Sequence, residues 1–119
     1  MESALGFLKA LKDNNDRDWF NTNKEWYQQS TEEFKRLAAE LIAGINEFDE
    51  FVGPVDPKDC IFRIYRDIRF SPNKVPFKTN FGAYMSKGGR KSIYAGYYFH
   101  LEPEGSFISG GIYMADPDI

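Results

Sequence analysis

Between Arg63 and Lys78 the chain carries five cations within sixteen residues, Arg63, Arg66, Arg69, Lys74 and Lys78, with Tyr65, Ser71 and Thr79 beside them as neutral hydrogen-bonding groups. Arginine forks match phosphate or carboxylate oxygens two at a time, and lysine adds a compact point charge, so this composition suits an anion. The same charges would also serve as solvated loop residues or as partners for acidic helices, and the sequence leaves that reading open. Side chains alternate across a strand, so Arg63 and Arg66 reach one ligand only if the strand ends or bulges near Tyr65. The expected anion set is therefore Arg63 and Tyr65 on one sheet face, with Arg69, Lys74 and Lys78 reaching over from the following loop. Arg66 is expected to pair with an acidic helix residue.

A second constellation is His100 with Glu102 two residues on and Tyr98 two residues before. On one strand these share a face, where a carboxylate can orient an imidazole for acid–base work. An ordinary hydrogen-bonded histidine fits the same residues. Cys60, the only cysteine, has no histidine near it in sequence and reads as an inert buried thiol. Asp49, Glu50, Asp56 and Asp59 match no calcium-loop spacing and read as solvated. With one cysteine and one histidine, disulfide frameworks, all-Cys/His zinc sites and two-histidine metal helices are excluded. There is no phosphate loop, dinucleotide glycine motif or nucleophile elbow, and no metal or cofactor is expected.

These residues need a scaffold, and 119 residues with 42% hydrophobic and 17% aromatic content are enough for one packed core. No apolar run approaches the roughly 18 residues of a membrane span, and Met1-Glu2-Ser3-Ala4 lacks the basic start of a secretory signal, so the chain reads as cytoplasmic. The net charge of −3 argues against a general nucleic-acid or membrane binder. It averages over a segregated pattern: residues 1–59 hold 7 basic and 13 acidic side chains, whereas residues 60–101 hold 8 basic ones against Asp67 alone. Either an acidic helical layer pairs with a basic sheet, or the middle third holds an anion site.

Ala4, Phe7, Leu8 and Leu11 fall at helical spacing, predicting a first helix from a Ser3 cap to Asp13. Asp16 or Asp18 is expected to cap a second, with Trp19, Phe20, Trp26 and Tyr27 buried. Ser30 and Glu33 read as a capping box opening a third, over Phe34, Leu37, Ala38, Leu41, Ile42, Ile45 and Phe48; the last two helices are alternatively continuous. After a Gly/Pro loop the period changes to 2: a strand over Cys60–Tyr65, a proline-containing loop over Asp67–Thr79, and an antiparallel arrangement of Phe81–Met85, Ile93–Leu101 and Phe107–Met114. Gly88-Gly89 reads as a turn and Gly110-Gly111 as a bulge. By parity, Phe62, Ile64, Phe81, Ala83, Met85, Tyr97, Phe99, Ile108 and Ile112 face the helices. Arg63, Tyr65, Tyr84, Tyr94, Tyr98, His100, Phe107 and Tyr113 then share the opposite face, forming a pocket floor, a stacking platform, or a surface covered by further chain. The fold class is α+β: helices over about 3–48 packed on one face of a mainly antiparallel sheet over about 60–114, in one domain. Ala115-Asp116-Pro117-Asp118 reads as a helix start, implying the front part of a longer domain.

Trp19-Phe20, Asn23-Lys24 and Tyr27, the run Phe62-Arg63-Ile64-Tyr65-Arg66-Asp67-Ile68-Arg69-Phe70-Ser71, Lys74, Pro76-Phe77-Lys78-Thr79, Gly96-Tyr97-Tyr98-Phe99-His100-Leu101-Glu102-Pro103 and Gly110-Gly111 together resemble an uncharacterised family, the domain of unknown function 2461. Its members extend past the position of Ile119, so the resemblance also implies an incomplete domain. It implies no activity, substrate or catalytic residue. The functional expectation is accordingly binding of a small phosphate- or carboxylate-bearing ligand by Arg63, Tyr65, Arg69, Lys74 and Lys78, with Tyr98 and His100 on the same face. The alternatives are a hydrolase or transferase using the same cations with His100, a single-stranded nucleic-acid binder, and a structural or partner-binding domain.

Overall fold

The computed structural model describes residues 2–92 and 94–111. Among the described residues four helices, α1 (Glu2–Asp13), α2 (Arg17–Thr22), α3 (Lys24–Asn46) and α4 (Pro57–Cys60), precede three strands, β1 (Phe81–Ser86), β2 (Gly96–Leu101) and β3 (Phe107–Gly111). The strands form one antiparallel sheet in the order β1-β2-β3, so the chain is an α+β protein. Among the described residues no helix is long and apolar enough to cross a membrane. The expectations placed on Ile93 and on residues 112–119, including Ile112, Tyr113 and the Asp116-Pro117 helix start, lie outside the described residues.

Burial of the i, i+3, i+4, i+7 stripe Ala4, Phe7, Leu8 and Leu11 explains α1. The Phe7 ring centroid lies within 6.2 Å of those of Trp19, Phe20, Trp26 and Tyr27, an aromatic cluster that joins α1 to α2 and α3. Asp16 caps α2 by accepting from the Trp19 amide at 2.8 Å. At Asn23 the chain breaks step and then continues directly into α3, so the capping box predicted at Ser30 is not one. Ser30 is buried inside α3, where its hydroxyl donates to the Ser3 carbonyl, and the Glu33 carboxylate accepts from the Ala4 amide at 3.0 Å. Both side chains bond to the first turn of α1 rather than to the helix that carries them, and Glu33 satisfies one of the amides left free there.

Phe34 of α3 stacks on Phe81 and Phe99, at 5.3 and 5.5 Å, which seats the helices on one sheet face. Register pairs Phe81 with Leu101, Ala83 with Phe99 and Met85 with Tyr97, and Tyr97 packs against the core, so the parity read for β1 and β2 holds. Gly110 pairs with Tyr97 and Gly111 with Gly96 in an uninterrupted ladder, so the expected bulge is absent. The strand predicted over Cys60–Tyr65 is also absent. Asp56 and Pro57 nucleate the short α4 through Cys60, the Asp56 carboxylate accepting from the Lys58 amide at 3.0 Å. Beyond it the chain makes isolated bridges, Ile61 to Ala83 and Tyr65 to Phe77. It changes partner midway: the Phe62 amide donates to Gly82, and the Ile64 carbonyl then accepts from Lys78. No single neighbour runs alongside long enough to form a ladder.

Candidate anion site

That change of partner builds the site. The Phe62–Gly82 bond holds Arg63 beside β1, and the bond from the Lys78 amide to the Ile64 carbonyl, 2.8 Å, brings Lys78 to the same place from the far end of the proline-containing loop. Phe77 anchors that end. Its ring is buried and stacked on Phe20 at 4.1 Å, and the Asn15 side chain binds its backbone twice, accepting from the amide at 3.1 Å and donating to the carbonyl at 2.9 Å.

Arg63 and Lys78, with Phe62, Asn80, Gly82 and Tyr98, line a cavity of about 140 Å³. Phe62 walls it, its ring 6.3 Å from Tyr98 and 5.9 Å from the Lys78 ammonium. Burial, and secondarily the charge of Arg63, lowers the pKa of Lys78 below the ordinary lysine value. Among the described residues neither Arg63 nor Lys78 takes part in an ion pair. Three of the pairs are local, Glu32 with Lys35, Asp67 with Arg69 and Glu102 with His100, and among the described residues none joins the acidic first half to the basic middle third.

At the back of the cavity the Tyr98 hydroxyl lies 2.9 Å from His100 Nδ1, and His100 Nε2 lies 2.7 Å from Glu102 Oε1. Asn80 Nδ2 approaches the same Nδ1 at 3.4 Å. A carboxylate facing Nε2 and an amide donor facing Nδ1 select the tautomer protonated at Nε2, leaving Nδ1 to accept from Tyr98. Phe107 stacks on His100 at 4.9 Å and fixes the ring.

The other expected ligands are elsewhere. Tyr65 packs against Phe20 and Phe77, because with no strand at 60–65 the alternation that put it beside Arg63 does not operate. Arg69 is held by Asp67 at 2.9 Å, which brings the Asp67 carboxyl down to about 2, and the Lys74 ammonium donates to the Ile68 carbonyl. Arg66 does not pair with an acidic helix residue. Its guanidinium donates to the Asn73 and Val75 carbonyls and to Ser71, tying the proline loop to itself. The continuous tyrosine face is divided as well: Tyr94 precedes β2 and packs against Phe51, while the Tyr84 hydroxyl donates to the Tyr94 carbonyl.

A larger cavity, about 670 Å³, opens from Phe62, Arg63 and Lys78 toward Lys35, Lys58, Arg90 and Lys91. Sequence reasoning counted Arg90 and Lys91 within the basic segment without giving them a ligand role, and it did not single out Lys58. The signal was the pair of glycines before them. Gly89, at φ +84°, packs so closely on α4 that a Cβ would stand 2.7 Å from the Asp59 carbonyl, and the Arg90 amide donates to that carbonyl at 2.9 Å. Among the described residues no three acidic, histidine or cysteine side chains gather as a metal site.

No curated protein and no solved structure matches the chain. The profile of a family described as "Conserved hypothetical protein (DUF2461)" matches residues 3–119, essentially the whole sequence, and the chain therefore belongs to that family.

Proposed function

We propose that this protein binds a small phosphate- or carboxylate-bearing molecule between Arg63 and Lys78. The observation that carries the reading is the half-buried Lys78 sharing a concave, aromatic-walled cavity with Arg63, with no ion pair to either among the described residues. Two close cations facing a cavity repel one another, and an anion removes that repulsion while gaining charge-assisted hydrogen bonds. Calorimetry with inorganic phosphate and with citrate at low salt tests it. Arg63→Ala and Lys78→Ala should each weaken binding about tenfold or more, as loss of one charge-assisted contact implies. Exposed Lys9→Ala should leave it unchanged. Wild-type affinity in both cavity variants would reject the site.

The Tyr98–His100–Glu102 chain favours a second reading, in which the bound anion is a substrate. Such a chain passes a proton between the cavity wall and Glu102, as general acid–base catalysis on a phosphoryl or acyl group requires. The measurement is turnover of a panel of phosphomonoesters and carboxylic esters. His100→Ala should abolish any activity found, and activity that survives both His100→Ala and Tyr98→Phe would reject this reading.

A further inference from the structure

Resting on the anion reading above, we infer that the ligand is a small polyanion carrying at least two linked anionic groups, of the di- or triphosphate class. One group occupies the inner cavity and the next lies in the outer cleft against Lys58, Arg90 and Lys91. The two cavities share Phe62, Arg63 and Lys78 in their walls, so a group held by Arg63 and Lys78 in the inner one lies beside the outer, within reach of a second, linked group. The outer cleft is the larger and is lined by no carboxylate. Of its four additional cations, among the described residues only Lys35 forms an ion pair, to Glu32 at 3.3 Å.

These charges are positioned rather than scattered. The Arg90 amide and Nη1 both donate to the Asp59 carbonyl, at 2.9 and 3.3 Å, while Gly89 packs on the same residue, so the turn carrying Arg90 and Lys91 is fixed to the helix carrying Lys58. Four separate chain segments thus set cations around one concavity. Cations from several segments around a single hollow match a short compact polyanion, whereas a nucleic-acid strand needs an extended basic track with rings along it. Here the aromatic face is divided and the chain is net acidic.

The test is calorimetry at low salt with inorganic phosphate, pyrophosphate and tripolyphosphate. Pyrophosphate should bind about tenfold or more tightly than phosphate, since the second group gains its own charge-assisted contacts. Arg90→Ala/Lys91→Ala should reduce pyrophosphate affinity far more than phosphate affinity, whereas Arg63→Ala should reduce both. Lys58→Ala, on a different segment, repeats the selective loss should the turn variant fold poorly. Phosphate binding with no gain for pyrophosphate or tripolyphosphate would overturn this inference and leave the single-anion site standing. No binding of any of the three would overturn both. Tighter binding of a ten-nucleotide oligothymidylate than of tripolyphosphate would overturn it in favour of a nucleic-acid strand.

Discussion

Gly82 lies directly against the Tyr98 hydroxyl: a Cβ at that position would stand 2.8 Å from the oxygen and 3.3 Å from the ring. The glycine is on β1 and the tyrosine on β2, and both line the inner cavity. Its lack of a side chain is what lets the hydroxyl reach both the cavity and His100.

Gly82→Ala should therefore displace the Tyr98 ring, lengthen its bond to His100 and fill part of the anion cavity. The crowding should cost roughly 1–3 kcal/mol of stability, in the range of overpacked interiors. Phosphate affinity should fall with it. Denaturant midpoints and calorimetry on the same variant measure the two effects, and an unaltered value for both would show that the tyrosine is not held where the cavity needs it.

Lys78 carries a burial penalty that pH should expose. Its ammonium is held below the ordinary value of 10.5, so near that pH the folded chain binds fewer protons than the unfolded one and stability rises with pH. The penalty is complete below the folded pKa and gone above 10.5. Lys78→Met should accordingly be more stable than wild type at pH 7, the difference shrinking as pH approaches 10.5. Phosphate should narrow the same gap at neutral pH by stabilising the wild type more than the variant; at about 100 times its Kd the wild type gains roughly 2.7 kcal/mol. A gap independent of both pH and phosphate would mean that Lys78 is not the desolvated cation of the site.

Cys60 should titrate in the opposite sense. Burial, aided by the neighbouring Asp59 charge, raises its thiol from 9.0 to about 11. The folded chain holds that proton longer than the unfolded one, so the contribution is present below pH 9 and lost as pH rises toward 11. Wild type should lose stability relative to Cys60→Ala across that window. At pH 8 an aromatic disulfide reagent should label the thiol only after denaturant is added, and rapid labelling of the folded protein would contradict its burial.

How much of this was legible in the sequence depended on whether a residue's partner was near in chain order. The 3.6-residue stripe of α1 and the alternation in β1 and β2 are local patterns, and they gave the α+β class and the faces of Tyr97 and Phe99. Ser30 and Glu33 have the spacing of a capping box, but their partners are Ser3 and Ala4, residues that no local pattern brings forward. Cys60–Tyr65 alternates like a strand, yet it had two successive neighbours and paired fully with neither. Within the candidate site, Arg63 and Lys78 could be named because their types and the basic segment point to an anion. Their separation from Arg69 and Lys74, and their meeting with Lys58 and Arg90, depend on tertiary bonds from Asn15 and Asp59 that a single sequence does not display.

The Asn15–Phe77 pair provides the test of that dependence. Asn15 lines neither the inner cavity nor the outer cleft, and it closes its two bonds on Phe77 across 62 residues of sequence. The next residue is Lys78. Asn15→Ala should leave the Phe77 amide and carbonyl, both part-buried, without their partner, costing roughly 1–3 kcal/mol. The loop end should then loosen, and phosphate affinity should fall severalfold although no cation has been removed. Asn15→Asp keeps the acceptor for the amide but loses the donor to the carbonyl, so it should recover only part of either effect. Wild-type affinity in Asn15→Ala, at temperatures where the variant is fully folded, would show that Lys78 finds its place without this anchor. In that case the hydrogen bond from its own amide to Ile64 positions the ammonium.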